Sequence, residues 1–186
     1  MPRTRAIAAL VATLVLTLVG CSGGDDDAPS TGADAARHNA ADVTFAQDMI
    51  PHHRQATDMA ALVAERSDDP DVEALATRIT QAQEPEVVEM SGWLEDWDEE
   101  VPEADDSMGD MSGMLSPEQL EQLAGLSGTA FDQSFLTLMS AHHEGAVEMA
   151  RTEVEDGENA DAIALARSIE ASQTTELRTM RDLLER

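Results

Sequence analysis

Apolar residues recur along this chain at helical spacing in two consecutive stretches, and then do so again. From residue 42 to about 66 they fall at Phe45, Met49, Ala56, Met59, Ala60 and Val63. Steps of three, four and seven place side chains on one face of an α-helix. The segment SDDPD at 67–71 interrupts the pattern with turn and N-cap residues. The stripe resumes over about 71–97 at Val72, Leu75, Ile79, Met90, Leu94 and Trp97. A second pair of helices is predicted over about 128–155 and 159–185, with Gly157 at the turn.

The second pair repeats the first at a constant offset of ninety positions. Phe45 matches Phe135, Met49 matches Met139, and His52-His53 match His142-His143. Met59-Ala60 match Met149-Ala150, Leu75-Ala76 match Leu165-Ala166, and Gln83, Glu86 and Met90 match Gln173, Glu176 and Met180. A fixed period without insertions indicates duplication of one supersecondary unit. A lone hairpin leaves its apolar stripe uncovered, and two hairpins can cover each other. The pattern therefore predicts an all-α four-helix bundle built from two repeated helical hairpins. The domain runs over 41–186, with hairpins at 41–100 and 128–186 and a linker at 101–127. Within the linker, Ser116 as N-cap, Pro117 at N1 and Gln119 at N3 predict a short helix.

The N-terminus changes the picture of where the domain works. MPRTR is a basic start, followed by an apolar run and then Leu18-Val19-Gly20-Cys21, which resembles the bacterial lipobox. Residues 1–20 thus read as a lipoprotein signal peptide and Cys21, the single cysteine, as the lipidated residue. Residues 21–40 are rich in Gly, Ser, Asp and Ala and read as a flexible tether, in which His38 is expected to be exposed and idle. The expected location is outside the cytoplasm or in the periplasm, anchored to the outer face of the cell membrane.

Charge narrows the partners. The chain has 38 acidic residues against 11 arginines and no lysine, a net charge of −27. Removing the signal takes two arginines and leaves −29. Such a surface repels phosphates and excludes nucleic acid as a natural partner. It attracts cations diffusely, which is not selectivity. A homo-oligomer is compatible with everything above.

The histidines offer more selective chemistry. At ~100° per residue His52 and His53 straddle the inward face of the first helix, and Gln83, Glu86 and Met90 fall on the apolar face of the second. The histidines lie about as far before the 67–71 turn as Glu86 lies after it, so at ~1.5 Å per residue they reach one level. Met49 levels with Met90. The second hairpin repeats this, and spacing alone predicts a His/Glu/Met layer inside the bundle, where helix bundles build metal sites. The candidate ligands are His52, His53, Met59, Glu86, Met90, His142, His143, Met149, Glu176 and Met180, with Met49 and Met139 as further donors. Met108, Met111 and Met114 in the Gly-rich linker are a separate, softer candidate group. Imidazole with thioether suits Cu(I), and imidazole with carboxylate accepts Cu(II) or another transition metal. The competing reading is structural, with the histidine pairs hydrogen-bonded to Glu86 and Glu176.

FAQDMIPHHRQATDMA, QAQEPEVVEMSGWLEDW and FDQSFLTLMSAHHEGAVEMA together resemble the bacterial domain-of-unknown-function family numbered 305. The resemblance spans about residues 38–186. It implies a ferritin-like four-helix bundle, often exported, with copper binding in some members. It places the family motif on His52, His53, Met59, Gln83, Glu86, Met90 and their counterparts. The function expected is a copper buffer or chaperone of the cell envelope. A ferritin-like metal-dependent oxidase and a metal-free interaction protein are the alternatives. No nucleophile motif or phosphate loop points to an enzyme. Two further expectations concern geometry. Pro51 should kink the first helix. A short connection between hairpins would put all four histidines at one level, whereas a crossover would separate the pairs by roughly 10 Å at ~1.5 Å rise per residue.

Overall fold

A computed structural model describes residues 37–103 and 111–186. Signal peptide, Cys21, most of the tether and Met108 lie outside the described residues. The chain is all-α. Five helices follow in order: α1 Ala40–Arg66, α2 Pro70–Asp96, α3 Pro117–Ala124, α4 Gly128–Asp156 and α5 Ala160–Leu184. There is no strand among the described residues. None of the described helices is long and apolar enough to cross a membrane.

Local chemistry sets these boundaries. The Asn39 side chain accepts from the amides of Ala41 and Asp42, while the Asp42 carboxylate accepts from the Asn39 amide at 2.6 Å. That reciprocal capping box starts α1. Asp69 caps α2 with Pro70 at N1, and Asn159, its counterpart in the repeat, caps α5. Ser116 and Gln119 form the box expected for α3. Helix α1 runs unbroken through Pro51, and α2 through Pro85.

The most extensive packing is within the hairpins, α1 on α2 and α4 on α5, and α1 then packs along α4. Two apolar clusters fill the interior. One joins the start of α1 (Phe45, Met49, Ile50) and the end of α2 (Met90, Leu94) to the end of α4 (Ala146, Ala150) and to Ile169 of α5. The other joins the end of α1 (Met59, Val63) and the start of α2 (Val72, Leu75) to the start of α4 (Phe131, Phe135, Met139) and to Met180. Helices α1 and α4 are therefore antiparallel, and α2 ends at the opposite end from where α4 begins. The connection has to climb the length of the molecule. It does so along α1: Gln47 donates to Glu100 O, Arg54 to Pro102 O and Gln55 to Leu115 O. Leu123 of α3 then caps the far cluster.

This crossover coexists with a single histidine level, contrary to the expectation that a crossover separates the pairs. The reason is positional. An end-over-end rotation about an axis through the helix middles moves the ends and leaves the middles in place. His52–His53 and His142–His143 lie near the middles of α1 and α4.

A polar clasp ties the hairpins at one end. Buried Asp42 also accepts from the amides of Glu158 and Asn159 in the α4–α5 turn, Asn39 donates to Asp156 O, and Asn159 donates to Arg37 O.

Candidate metal layer

The His52 and His142 rings meet where α1 crosses α4. Their centroids are 3.7 Å apart and the planes tilt by 38°. They are equivalent positions of the repeat, so the pseudo-twofold axis passes between them. All four histidines of the doublets are buried, none more than 1% exposed. On each side of the central pair stands a matched ion-pair geometry. His53 Nε2 lies 2.7 Å from Glu86 Oε2, and His143 Nε2 lies 2.7 Å from Glu176 Oε2. Both glutamates are half-buried. The identical lengths express the repeat directly.

Protonation follows from the partners and the burial. His52 Nε2 is 3.3 Å from the carbonyl of Ser112. A carbonyl only accepts, so in that contact Nε2 carries the hydrogen and Nδ1 is bare. Burial, reinforced by the neighbouring His53 and opposed by the Ser112 carbonyl, pushes the His52 pKa down to about 3. Burial, with His52 and His143 nearby, holds His142 well below the ordinary imidazole range. Both rings are neutral at neutral pH, the form that coordinates metal.

The layer is rich in polar atoms without partners. Nδ1 of His52, His53 and His143, both ring nitrogens of His142, both amide atoms of Gln83 and Oε1 of Gln173 find no hydrogen bond among the described residues. Buried polar atoms are normally satisfied, and such a concentration marks a place built for a ligand, ion or water. The donors are nitrogen and oxygen, and Met49 and Met139 are buried one turn before His52 and His142 on the same helices, a chemistry that fits a transition-metal ion. The described residues nevertheless hold no ready-made group of three His, Cys, Asp or Glu around one metal position.

The methionines divide between the two apolar clusters. Met49 and Met90 are fully buried on one side, and Met59, Met139 and Met180 on the other. The Ser140 hydroxyl donates to the Met180 sulfur at 3.6 Å. Met149 is half-buried against the first cluster, unlike its counterpart Met59. Met111 and Met114 are half-buried on the ascending linker, where the Met114 amide bonds to Met111 O. His38 is not idle: its ring stacks on Trp97, centroids 4.6 Å apart.

Two features were not anticipated from the sequence. One is the linker segment at 112–115, which lies on α1 and α4 beside the histidines. The other is the carboxyl pair Asp42–Glu153. The signal for the first was present as a break in the repeat, since Gln55 corresponds to Gly145. The signal for the second was faint, because each residue taken singly reads as surface charge.

An all-α chain with a duplicated hairpin and a buried histidine layer on its pseudo-twofold axis is the class defined so far. A family model described as a domain of unknown function, DUF305, matches residues 42–184, and the chain belongs to that family. A DUF305 protein from Streptomyces coelicolor, taken to be secreted, is 38% identical, with a TM-score of 0.73 over 78% of this chain and 92% of its own. A DUF305 fragment from Deinococcus radiodurans is 34% identical, with a TM-score of 0.72 over 79% of this chain and 97% of its own. CopM in its Cu(II)-bound form is 32% identical, with a TM-score of 0.69 over 77% of this chain and 95% of its own. CopM also has Cu(I)-bound and silver-bound structures. No curated protein matches the chain.

Proposed function

We propose that this protein binds copper in the histidine layer and serves as a metal buffer or chaperone of the cell envelope. The observation that carries the reading is His142, with both ring nitrogens buried and unpartnered, in contact with neutral His52 on the pseudo-twofold axis. Two imidazoles kept neutral by burial, on helices that also bury Met49 and Met139 one turn before them, are donors for a soft ion, and hard cations such as Mg and Ca prefer oxygen alone. CopM supports the choice of metal, since it binds Cu(II), Cu(I) and silver on a similar fold.

In this reading His52, His53, His142 and His143 are the nitrogen donors. The thioether candidates are Met49, Met59, Met90, Met139, Met149 and Met180. Glu86 and Glu176 hold the outer nitrogens of His53 and His143, as carboxylates do around metal-bound imidazole. They become ligands themselves if those bonds open. Met111 and Met114, with Met108, form a softer secondary group on the linker. The architecture is read as a ferritin-like four-helix bundle of two hairpins, 41–100 and 128–186, joined by 101–127. Export with residues 1–20 removed and lipid on Cys21 completes the proposal, and the Streptomyces relative taken to be secreted favours export.

The test is a competition titration with one Cu(I) chelator and one Cu(II) chelator. Replacing His52, His53, His142 and His143 together by Ala should abolish tight copper binding while helical content persists. Changing Met108, Met111 and Met114 together should weaken Cu(I) and leave Cu(II) nearly unchanged. The 2.7 Å histidine–glutamate bonds favour a second reading, in which these pairs only hold the hairpins shut. Wild-type copper affinity in the four-histidine variant would establish that reading and end the first.

A further inference from the structure

Residues 112–115 cross the histidine layer without belonging to either hairpin. The segment is held at three points. The Gln55 side chain clasps Leu115 twice, donating to its carbonyl at 3.0 Å and accepting from its amide at 2.8 Å. The Ser112 carbonyl accepts from His52 Nε2 and the Ser112 hydroxyl donates to Glu148 Oε2 at 3.0 Å. Gly113, at a φ of 84°, lies on the backbone of α4, so close that a Cβ there would sit 2.7 Å from Ala141 O and 2.9 Å from His142 O. From the other side, a Cβ on Gly145 would collide with the Ser112 carbonyl.

These contacts coincide with departures from the repeat. Gln55 of α1 stands where α4 has Gly145, and Pro51 of α1 where α4 has Ala141. One copy supplies a side chain that grips the segment, and the other supplies the gap in which it lies. The histidines are symmetric, and the cover over them is not. Ser112 also lines a cavity of about 520 Å³ between α1 and α4, with Asp48, Glu148 and Met149 among its walls. The grip itself is thin. The described backbone hydrogen bonds include one within the segment's turn, Met114 N to Met111 O, and the rest of the attachment is side-chain clasps and close glycine contact. Segments held in this way open locally without unfolding the domain.

We propose that residues 112–115 are a gate over the His52/His142 pair, latched by Gln55 and seated by the Gly113–Gly145 contact, which opens toward that cavity to admit and release the ion. The inference rests on copper binding in the layer for its purpose. The gating of the histidines is testable without metal.

The metal-free test is acylation by diethyl pyrocarbonate, which attacks neutral imidazole, with sites read by peptide mass spectrometry. Gln55→Ala removes the latch and Gly145→Ala unseats the segment. Gln55→Ala, which loses two hydrogen bonds of ordinary strength, should speed modification of His52 and His142 about tenfold or more, and Gly145→Ala, which displaces Ser112, should speed it comparably. Gly92→Ala, where an added Cβ meets nothing within 4 Å, should leave the rate at wild type. Unchanged rates in both gate variants overturn the proposal. So does equal acceleration in Gly92→Ala, which would mean general loosening. In copper exchange followed by stopped flow, both gate variants should load and release about tenfold faster with affinity within about twofold of wild type. A loss of affinity with unchanged loading would make the segment part of the ligand shell and overturn the gate. Absence of copper binding in the wild type would end the copper reading, and the acylation rates would still decide whether the segment gates the histidines.

Discussion

Single residues in this protein are tuned by what surrounds them, and Glu153 is the clearest case. Burial, followed by its hydrogen bond to Asp42 and the charges of Asp42 and Asp156, pushes its pKa up to about 8. Burial alone would raise Asp42 too. The bonds Asp42 receives from Glu153 and from the amides of Asn39, Asn159 and Glu158 outweigh it and hold its pKa below the usual carboxylate value. Glu153 is therefore the protonated member of the pair at neutral pH and Asp42 the charged one. The sign for stability follows. From pH 4.5, the ordinary glutamate value, to about 8 the folded chain binds a proton that the unfolded chain has lost, so stability falls as pH rises through this window. His52 acts in the opposite sense: stability is lost as pH falls from 6.5 toward about 3, because the unfolded imidazole takes up a proton first. Above 6.5 the histidine slope is spent and Glu153 dominates. In metal-free protein, Glu153→Gln should flatten the decline of Tm between about pH 6.5 and 8, since glutamine still donates to Asp42 and has no proton to lose. Calorimetry of both proteins across that range checks it. An unchanged slope would mean that Glu153 is ionised in the fold.

At the scale of elements, helix ends and stripes were legible in the sequence because they obey local rules. Asp69 and Asn159 occupy the same place in the two copies and both cap through their side chains, yet their surroundings differ. Asp69 caps beside solvent, whereas Asn159 is 2% exposed and also donates to Arg37 O. Asp69→Ala should cost about 1 kcal/mol, a typical cap. Asn159→Ala should cost more, about 2 kcal/mol, because the bond its buried side chain donates to Arg37 O is lost as well. Urea titrations of the two variants measure the difference, and equal costs would show that the clasp between hairpins adds nothing to the cap. The segment at 112–115 was not legible as an element. It has no periodicity, and its place depends on Gln55 and on the absence of a side chain at Gly145, which no local rule connects to Ser112. The depth of the histidine layer was legible from residue counting along the helices. The contact of His52 with His142 was not, because counting within a hairpin does not say how two hairpins are related.

For the whole molecule that relation is the pseudo-twofold axis, and it makes a statement about association. The surface that hairpin 1 offers to hairpin 2 is nearly the surface hairpin 2 offers back: Phe45 for Phe135, Met49 for Met139, Ala56 for Ala146, His52 for His142. An interface of this kind is self-complementary, as in a twofold homodimer. The linker contributes Leu115 and Leu123 to one apolar cluster and is not itself repeated, so the duplicated part of the interface lies in the helices. A chain of residues 38–100 alone leaves its stripe of Phe45, Met49, Met59 and Val63 uncovered, and burying such side chains stabilises by about 1.5–3 kcal/mol each. It should therefore pair with a second copy of itself, placing His52 against His52 where the full chain places His142. Gln55 of the second copy would stand where Gly145 stands, without steric conflict from the absent 112–115 segment. Sedimentation equilibrium with circular dichroism should find a helical dimer that loses helix on dilution, because the single hairpin has no other cover for its stripe. A hairpin that stays monomeric and helical at all concentrations would show that α1 and α2 suffice for each other, and that the axis through the histidines is a product of duplication with no part in holding the molecule together.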